Sequence, residues 1–314
     1  MVAVAFSSAA ARADAPKQAP RVVALATADD ARKAIAIGPA GEVFEPDGKG
    51  AWVRKLRIST GNQIAHVGRA SGAVIAFGEG VVYRLAPNGW SAIRLHQKQR
   101  AVMSAGARAV AAVGRQLFAL DRSAGGEPLK LAVAPSNVLA IGANAANGLI
   151  VQTDRGLFRV EGAKVVAVKN APRRVKQLVS DRWVLVDDGA IDLKTGRKTG
   201  WPPGVSIATA AVTADDRLVL VASQRGKLEL VTLKQDKLER VPIALEPAAG
   251  GVAAPSLSPD ARPVGVVVDK AGRAVIALDD GTLLVREGTQ AWTATRVTED
   301  LPGPKPGSPP AVSP

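Results

Sequence analysis

The side chains from which acid–base or metal chemistry would have to be assembled are two histidines, His66 and His96, and Asp-Asp pairs at 29–30, 187–188, 215–216 and 279–280. A histidine beside carboxylates would make a general base, and carboxylates in an alternating loop would hold a hard cation. Neither pattern is present. His66 falls on the first strand of a predicted four-stranded unit and His96 at the end of its fourth strand. Three strand spacings of about 4.8 Å separate those positions, so the two share neither a proton nor a metal. His66 on an inner strand is open to a ligand role, with a satisfied structural histidine the simpler account. The acidic pairs sit at turn positions, where Asp caps backbone amides, and none opens an Asp-x-Asp-x-Asp-Gly loop. The chain has no cysteine, which excludes disulfides, thiolate metal sites and cysteine nucleophiles. It has no nucleophile elbow, phosphate-binding loop or metal-spaced histidine set. No catalytic residue, metal or cofactor is therefore assigned.

Charge is the pattern that rises above this background. The net charge is +13, a field that favours acidic partners. From Lys49 to Arg115 eleven basic residues, Lys98 and Arg100 among them, face a single acid, Glu79. A second cluster reads Lys169-Asn-Ala-Pro-Arg173-Arg174-Val-Lys176. Arginine in such a place can hold phosphate or carboxylate bidentately. No aromatic residue interleaves the second cluster, so base stacking on a single strand is unsupported. The binding candidates are Arg173, Arg174 and Lys176, then Lys98 and Arg100, against charges scattered around a solvated surface.

What must position them is a repeat. A small turn residue followed by an apolar pair recurs at Val43, Val82, Leu117, Leu157, Ile191, Leu228 and Leu283, in steps of 39, 35, 40, 34, 37 and 55 residues. A period near 40 made of short strands is the signature of propeller blades. The expected fold is all-β: one seven-bladed β-propeller of four-stranded antiparallel blades. The first blade would be 21–27, 32–37, 42–45 and 52–58, the second 63–67, 73–77, 81–85 and 90–95. The next four occupy roughly 101–133, 138–169, 175–201 and 205–243, and the last 264–268, 273–278, 282–286 and 292–297. Hairpins at 153–156, 187–189, 223–226 and 279–281 place Gly where a positive φ is expected. Thr27-Ala-Asp-Asp30 and Thr213-Ala-Asp-Asp216 repeat a second loop. Because each blade has its four strands in order, closure needs no strand exchange, and the terminal blades are expected to meet by face packing alone. The long step marks an irregular insertion at 244–262. The five tryptophans recur at matching positions, which points to packing between blades rather than ligand stacking.

Residues 21–300 would form the single domain. Residues 1–20 read as the end of an export signal, with Ala11-Arg12-Ala13 as its cleavage pattern, or as a small-residue tail. Residues 301–314 read as a Pro-rich tail. The repeats resemble bacterial propeller proteins of the pyrroloquinoline-quinone-like, WD-like and photosystem-assembly-factor-like kind. Ile191-Asp192-Leu193-Lys194-Thr195-Gly196 through Trp201 is similar to the quinoprotein-type repeat, and Asp47-Gly-Lys-Gly-Ala-Trp52 to degenerate sialidase-like turns. The Gly-His and Trp-Asp dipeptides of WD repeats are absent, and one imperfect repeat does not imply quinone. The expectation is a monomeric, non-catalytic binding or assembly scaffold, periplasmic or secreted if the leader is a signal and cytoplasmic otherwise. Its partner would be a protein with an acidic face. Binding of anionic polysaccharide or lipid is the first alternative, with nucleic acid below it, and a hydrolase or lyase with its site at a channel mouth is the second. No stretch approaches the ~18 apolar residues of a membrane-spanning helix.

Overall fold

The computed structural model describes residues 20–26, 30–48, 50–57, 66–70, 73–78, 81–86, 89–94, 102–105, 109–120, 129–143, 148–213, 215–224, 227–234, 237–245, 257–258 and 260–298. Strands β1 (Ala24–Ala26), β2 (Ile35–Ile37), β3 (Glu42–Pro46) and β4 (Trp52–Arg57) form the first antiparallel meander. A single 3-10 turn, Ala31–Lys33, interrupts its first connection. The second meander is β5 (His66–Ala70), β6 (Ala73–Gly78), β7 (Val81–Ala86) and β8 (Gly89–Arg94). Then come β9 (Val102–Ala105), β10 (Ala109–Val113), β11 (Gln116–Ala119) and β12 (Leu129–Val133). They are followed by β13 (Val138–Ala143), β14 (Leu149–Thr153), β15 (Gly156–Glu161) and β16 (Lys164–Ala167). The fifth group is β17 (Gln177–Leu178), β18 (Trp183–Val186), β19 (Gly189–Asp192) and β20 (Lys198–Gly200). The sixth is β21 (Val205–Val212), β22 (Leu218–Gln224), β23 (Lys227–Lys234) and β24 (Lys237–Pro242). The last is β25 (Pro263–Val268), β26 (Ala274–Leu278), β27 (Thr282–Arg286) and β28 (Trp292–Thr298). These boundaries fall within a few residues of those read from the repeat.

Among the described residues the strands pair as five four-stranded sheets and one eight-stranded sheet. Second strands are covered on both faces and read as unbroken apolar runs rather than alternating ones. Ala-Val-Ile-Ala-Leu of β26 is buried throughout, as is Ile-Ala-Ile of β2. With so few aromatics, alanine and valine bring neighbouring sheets together. One cluster joins Val110, Leu117 and Ala132 to Val138 and Val151, and another joins Leu185 and Ala190 to Leu218 and Val231. The repeat anchors Val43, Val82, Leu117, Leu157 and Leu283 are all buried on third strands. First strands touch first strands around a centre: β1 with β5, β5 with β9, β9 with β13, β13 with β17, β21 with β25, and β25 with β1. The ring closes on itself.

Closure corrects one expectation. The first and last meanders do share a face, through Phe44, Trp52, Val275, Leu283 and Val297. They are also joined at their outer edges, where β28 pairs in parallel with β4 at Val297–Trp52 and Thr298–Val53, and Thr298 Oγ1 donates to the Trp52 carbonyl at 3.3 Å. That edge pairing creates the eight-stranded sheet. The hairpin glycines need a second correction. Gly156 (φ 120°) and Gly281 (φ 83°) adopt the left-handed backbone predicted for them, whereas Gly189 does not. At Gly189 a Cβ would run into the Thr199 carbonyl oxygen of β20, so close approach and not φ selects the residue. Gly226 lies outside the described residues. The insertion is anchored at both ends, by a parallel bridge from Leu245 to Trp292 and by Leu257 and Ala261 packed against the cluster that contains Trp292.

Candidate binding face

The basic cluster lies on the connection from β16 to β17. Val168 begins it, its amide donating to the Leu157 carbonyl at 2.9 Å, and the Lys176 amide ends it on the Leu185 carbonyl at 2.8 Å. Between these points Val168, Ala171 and Val175 pack on a cluster of Ile150, Leu157, Leu178 and Val184 between two sheets. Asn170 turns the chain with a φ of 56°. Three apolar residues facing inward leave Lys169, Arg173, Arg174 and Lys176 facing out, and all four are exposed. In an up-and-down meander the turns between second and third strands share an end with the connections between sheets. Arg155, exposed at the turn from β14 to β15, therefore joins the same end.

These five cations have no carboxylate partner among the described residues, a state shared by scattered lysines such as Lys130, Lys164 and Lys270; what sets them apart is that four of them sit on one connection. Elsewhere Arg240 meets Glu229 at 2.6 Å, Lys198 meets Asp188 at 2.6 Å and Arg217 meets Asp215 at 2.7 Å. Unpaired exposed cations on a fixed backbone keep their charge available to an incoming anion. Arg173, Arg174 and Lys176 are thus brought together as the sequence suggests. Lys98 and Arg100 lie outside the described residues, as does His96, and the side chain of His66 on β5 does too.

The opposite end, formed by first-to-second and third-to-fourth turns, is built differently. Arg182 precedes β18 and donates to Asp192 Oδ2 from Nε at 3.1 Å and from Nη2 at 2.8 Å. Its Nη1 reaches Asp216 Oδ2 on the next sheet at 3.1 Å. The guanidinium stacks over Trp183, 4.9 Å from the ring centroid, and Trp183 Nε1 donates to the Asp216 carbonyl at 3.0 Å. Arg273, preceding β26, repeats the arrangement. Its Nε meets Asp269 at 2.8 Å and Glu287 at 4.0 Å, and its Nη2 meets Asp30 on the first meander at 3.7 Å. The two Thr-Ala-Asp-Asp loops are therefore the two acceptors of an arginine reaching from the preceding sheet. Sequence reasoning placed these pairs at turns but missed the arginine, although its signal is visible: Arg108, Arg182, Arg217 and Arg273 each stand directly before a second strand.

Carboxylates in this network respond to their surroundings. Burial pushes Asp269 upward, but amides of Arg273 and Ala31 and the Arg273 guanidinium outweigh it and hold the carboxyl below its usual range. Asp192 behaves likewise, burial being overcome by Arg182 and the Lys194 amide. Asp181 goes the other way. Burial first, and then the nearby Asp216 charge, raise its pKa against the pull of Arg159. Its Oδ1 and that of Asp216 are buried without a hydrogen-bond partner.

At the same end, between the first and last meanders, lies a cavity of about 530 Å³. Trp52, Val275 and Val285 form its apolar floor, and Arg32 and Glu287 stand on its rim. These two are ion-paired at 3.2 Å.

A closed ring of four-stranded antiparallel meanders around a common centre is a β-propeller. Among solved structures, PorZ of Porphyromonas gingivalis, a bacterial surface component of the type-IX secretion system, is similar with a TM-score of 0.57 at 14% identity, over 91% of this chain and 39% of that one. The extracellular domain of the hybrid two-component system BT4673 from B. thetaiotaomicron gives 0.55 at 13%, over 84% and 37%. The WD40 β-propeller domain of Doa1 gives 0.51 at 12%, over 83% and 90%. At such identities the likeness is one of fold. This chain spans less than two fifths of the first two proteins. No protein-family model matches the chain, and no curated protein matches it. Among the described residues no helix is long and apolar enough to cross a membrane.

Proposed function

We propose that this chain is a seven-bladed propeller, each half of the eight-stranded sheet counting as one blade, that works without catalysis as an exported protein-binding or assembly scaffold in the cell envelope. Its recognition surface is the basic connection, with Arg173, Arg174 and Lys176 central, Arg155 and Lys169 beside them, and Lys98 and Arg100 as further contacts. The observation that carries this reading is that four exposed cations, Lys169, Arg173, Arg174 and Lys176, crowd one short connection between β16 and β17 with no carboxylate partner among the described residues. Such a surface fits an acidic face of another protein, and arginine is suited to grip its carboxylates in pairs. The company of a surface secretion component and an extracellular domain among similar folds is compatible with a role outside the cytoplasm.

The test is retention on immobilised poly-L-glutamate and on dextran sulfate across a salt titration, with Arg173→Ala/Arg174→Ala/Lys176→Ala alongside. Retention on polyglutamate that weakens with salt, and by on the order of tenfold in the triple variant, is the expected result, at ~0.5 kcal/mol for each exposed contact. Retention on dextran sulfate alone would assign the tract to an anionic polysaccharide. Elution from both resins at low salt, unchanged by the substitutions, would refute the tract as a binding site.

A further inference from the structure

Strand β13 carries one residue more than the strand it pairs with. Its register with β14 shifts between Val138 and Ala140, so Leu139 is the extra residue of a β-bulge. Strict alternation would put Val138 and Ala140 on one face of the sheet. They lie on opposite faces instead. Val138 packs with Val110 and Leu117 of the preceding sheet, and Ala140 with Leu178 and Val184 of the following one. Leu139, between them, belongs to neither cluster. At 55% it is the most exposed large apolar side chain among the described residues.

The bulge sits at the basic end of the ring, and its entry is clamped. The connection from β12 is tied to the turn between β10 and β11, where the Ala134 amide donates to the Arg115 carbonyl and the Val138 amide to the Gly114 carbonyl, both at 2.8 Å. Arg115 Nε donates back to the Ala134 carbonyl at 2.9 Å, and the residue is exposed. On the other flank, Ala140 shares its cluster with Ala171 and Val175 of the connection that carries Lys169, Arg173, Arg174 and Lys176. Leu139 thus lies between Arg115 on one side and Lys176, the neighbour of Val175, on the other.

A single exposed leucine is ordinary on a protein surface. A leucine turned outward by a bulge, on a clamped strand and among cations, has the arrangement of an interface anchor with a charged rim. An acidic polysaccharide has no apolar side chain to place on it. A flat bilayer would meet the turns and connections that bear the cations before a side chain rooted in a strand.

We propose that Leu139 is the apolar anchor of this face, and that the partner is an acidic polypeptide segment with an apolar side chain set among its carboxylates. That side chain rests on Leu139 while the carboxylates reach Arg115, Arg173, Arg174 and Lys176. The proposal rests on the basic connection being the recognition surface. It adds what cations do not supply, a choice among acidic chains.

The experiment measures, by fluorescence anisotropy on the full chain, the affinities of two short synthetic peptides of glutamate and glycine. One has a central leucine and the other a serine in its place. The leucine peptide should bind at least about fivefold more tightly. Leu139→Ser should abolish that preference and leave the affinity for the serine peptide unchanged, whereas Leu139→Met, which keeps an apolar side chain, should retain it. Arg173→Ala/Arg174→Ala/Lys176→Ala should weaken both peptides alike. Equal binding of the two peptides by the unaltered protein, still weakened by the triple variant, would overturn the anchor and leave the basic surface standing. Failure of both peptides to bind would remove the surface and the anchor with it. Retention on phosphatidylserine vesicles that Leu139→Ser abolishes, with no preference between the peptides, would overturn the proposal in favour of a membrane surface.

Discussion

At the residue scale, the Asp-Asp pairs show how one dipeptide serves several ends. Asp30 caps the Arg32 amide at 3.0 Å, and Asp280 caps the Thr282 amide at 2.9 Å. Asp216 instead receives Arg182 from the preceding sheet, with a left-handed φ of 63°. The turn role was legible because Asp beside Gly or Thr has few other uses. The inter-sheet role was not, because it depends on which arginine the ring brings alongside. Asp181 is the weak point of this network, buried and with an Oδ1 that lacks a donor. Its raised pKa means that its contribution to stability is present below the unfolded value, about 3.9, and fades as pH rises through the folded value. The lowered carboxyls Asp192, Asp215 and Asp269 contribute above that unfolded value and lose their contribution as pH falls through their folded ones. Asp181→Asn should therefore raise stability at pH 7 by about 1 kcal/mol, the cost of a buried oxygen lacking a donor. The gain should shrink below pH 4. Thermal unfolding at both pH values reads this directly, and a loss of stability at pH 7 would contradict it.

At the scale of elements, strand boundaries were readable because Val-rich and Ala-rich runs alternate with turn chemistry at an even period. Edge pairing was not, since Trp292–Thr298 and Trp52–Arg57 are far apart in sequence and nothing in either marks a partner. The hairpin glycines give a graded test. Gly281 has both a left-handed φ and the Pro20 carbonyl oxygen where a Cβ would sit, whereas Gly196 has φ 74° and open space. Gly196→Ala should cost about 1 kcal/mol for the backbone alone. Gly281→Ala should cost about 3 kcal/mol, because strain and collision combine. Urea midpoints for the two variants rank them, and equal costs would mean that the Pro20 contact gives way freely.

At the scale of the whole molecule, the seam is fastened by the same device as an interior junction. Arg273 reaches Asp30 across it as Arg182 reaches Asp216 between the fifth and sixth groups. Arg273→Met leaves Asp269, almost fully buried, without its guanidinium, and should cost about 3 kcal/mol. Native-state hydrogen exchange should then speed up together in β1–β4 and β25–β28, while β17–β24 keep their protection. Uniform acceleration around the ring would show that the sheets open as one unit and not at the seam. The four-stranded antiparallel repeat was visible in the sequence. The means of holding the ring shut was not, because it rests on side chains from opposite ends of the chain.

The edge pairing of β28 with β4 also decides how the protein bears load. Pro20 lies against Gly281, and the Val297 amide donates to the Gly281 carbonyl at 3.0 Å, so both ends of the described ring leave from one side of the same seam. Tension drawn between them falls first on the two-rung parallel ladder and then on β28 along β27, one hydrogen bond at a time. The ring yields as a zip opened from a single tab, and the sheets farthest from the seam are the last to feel the pull.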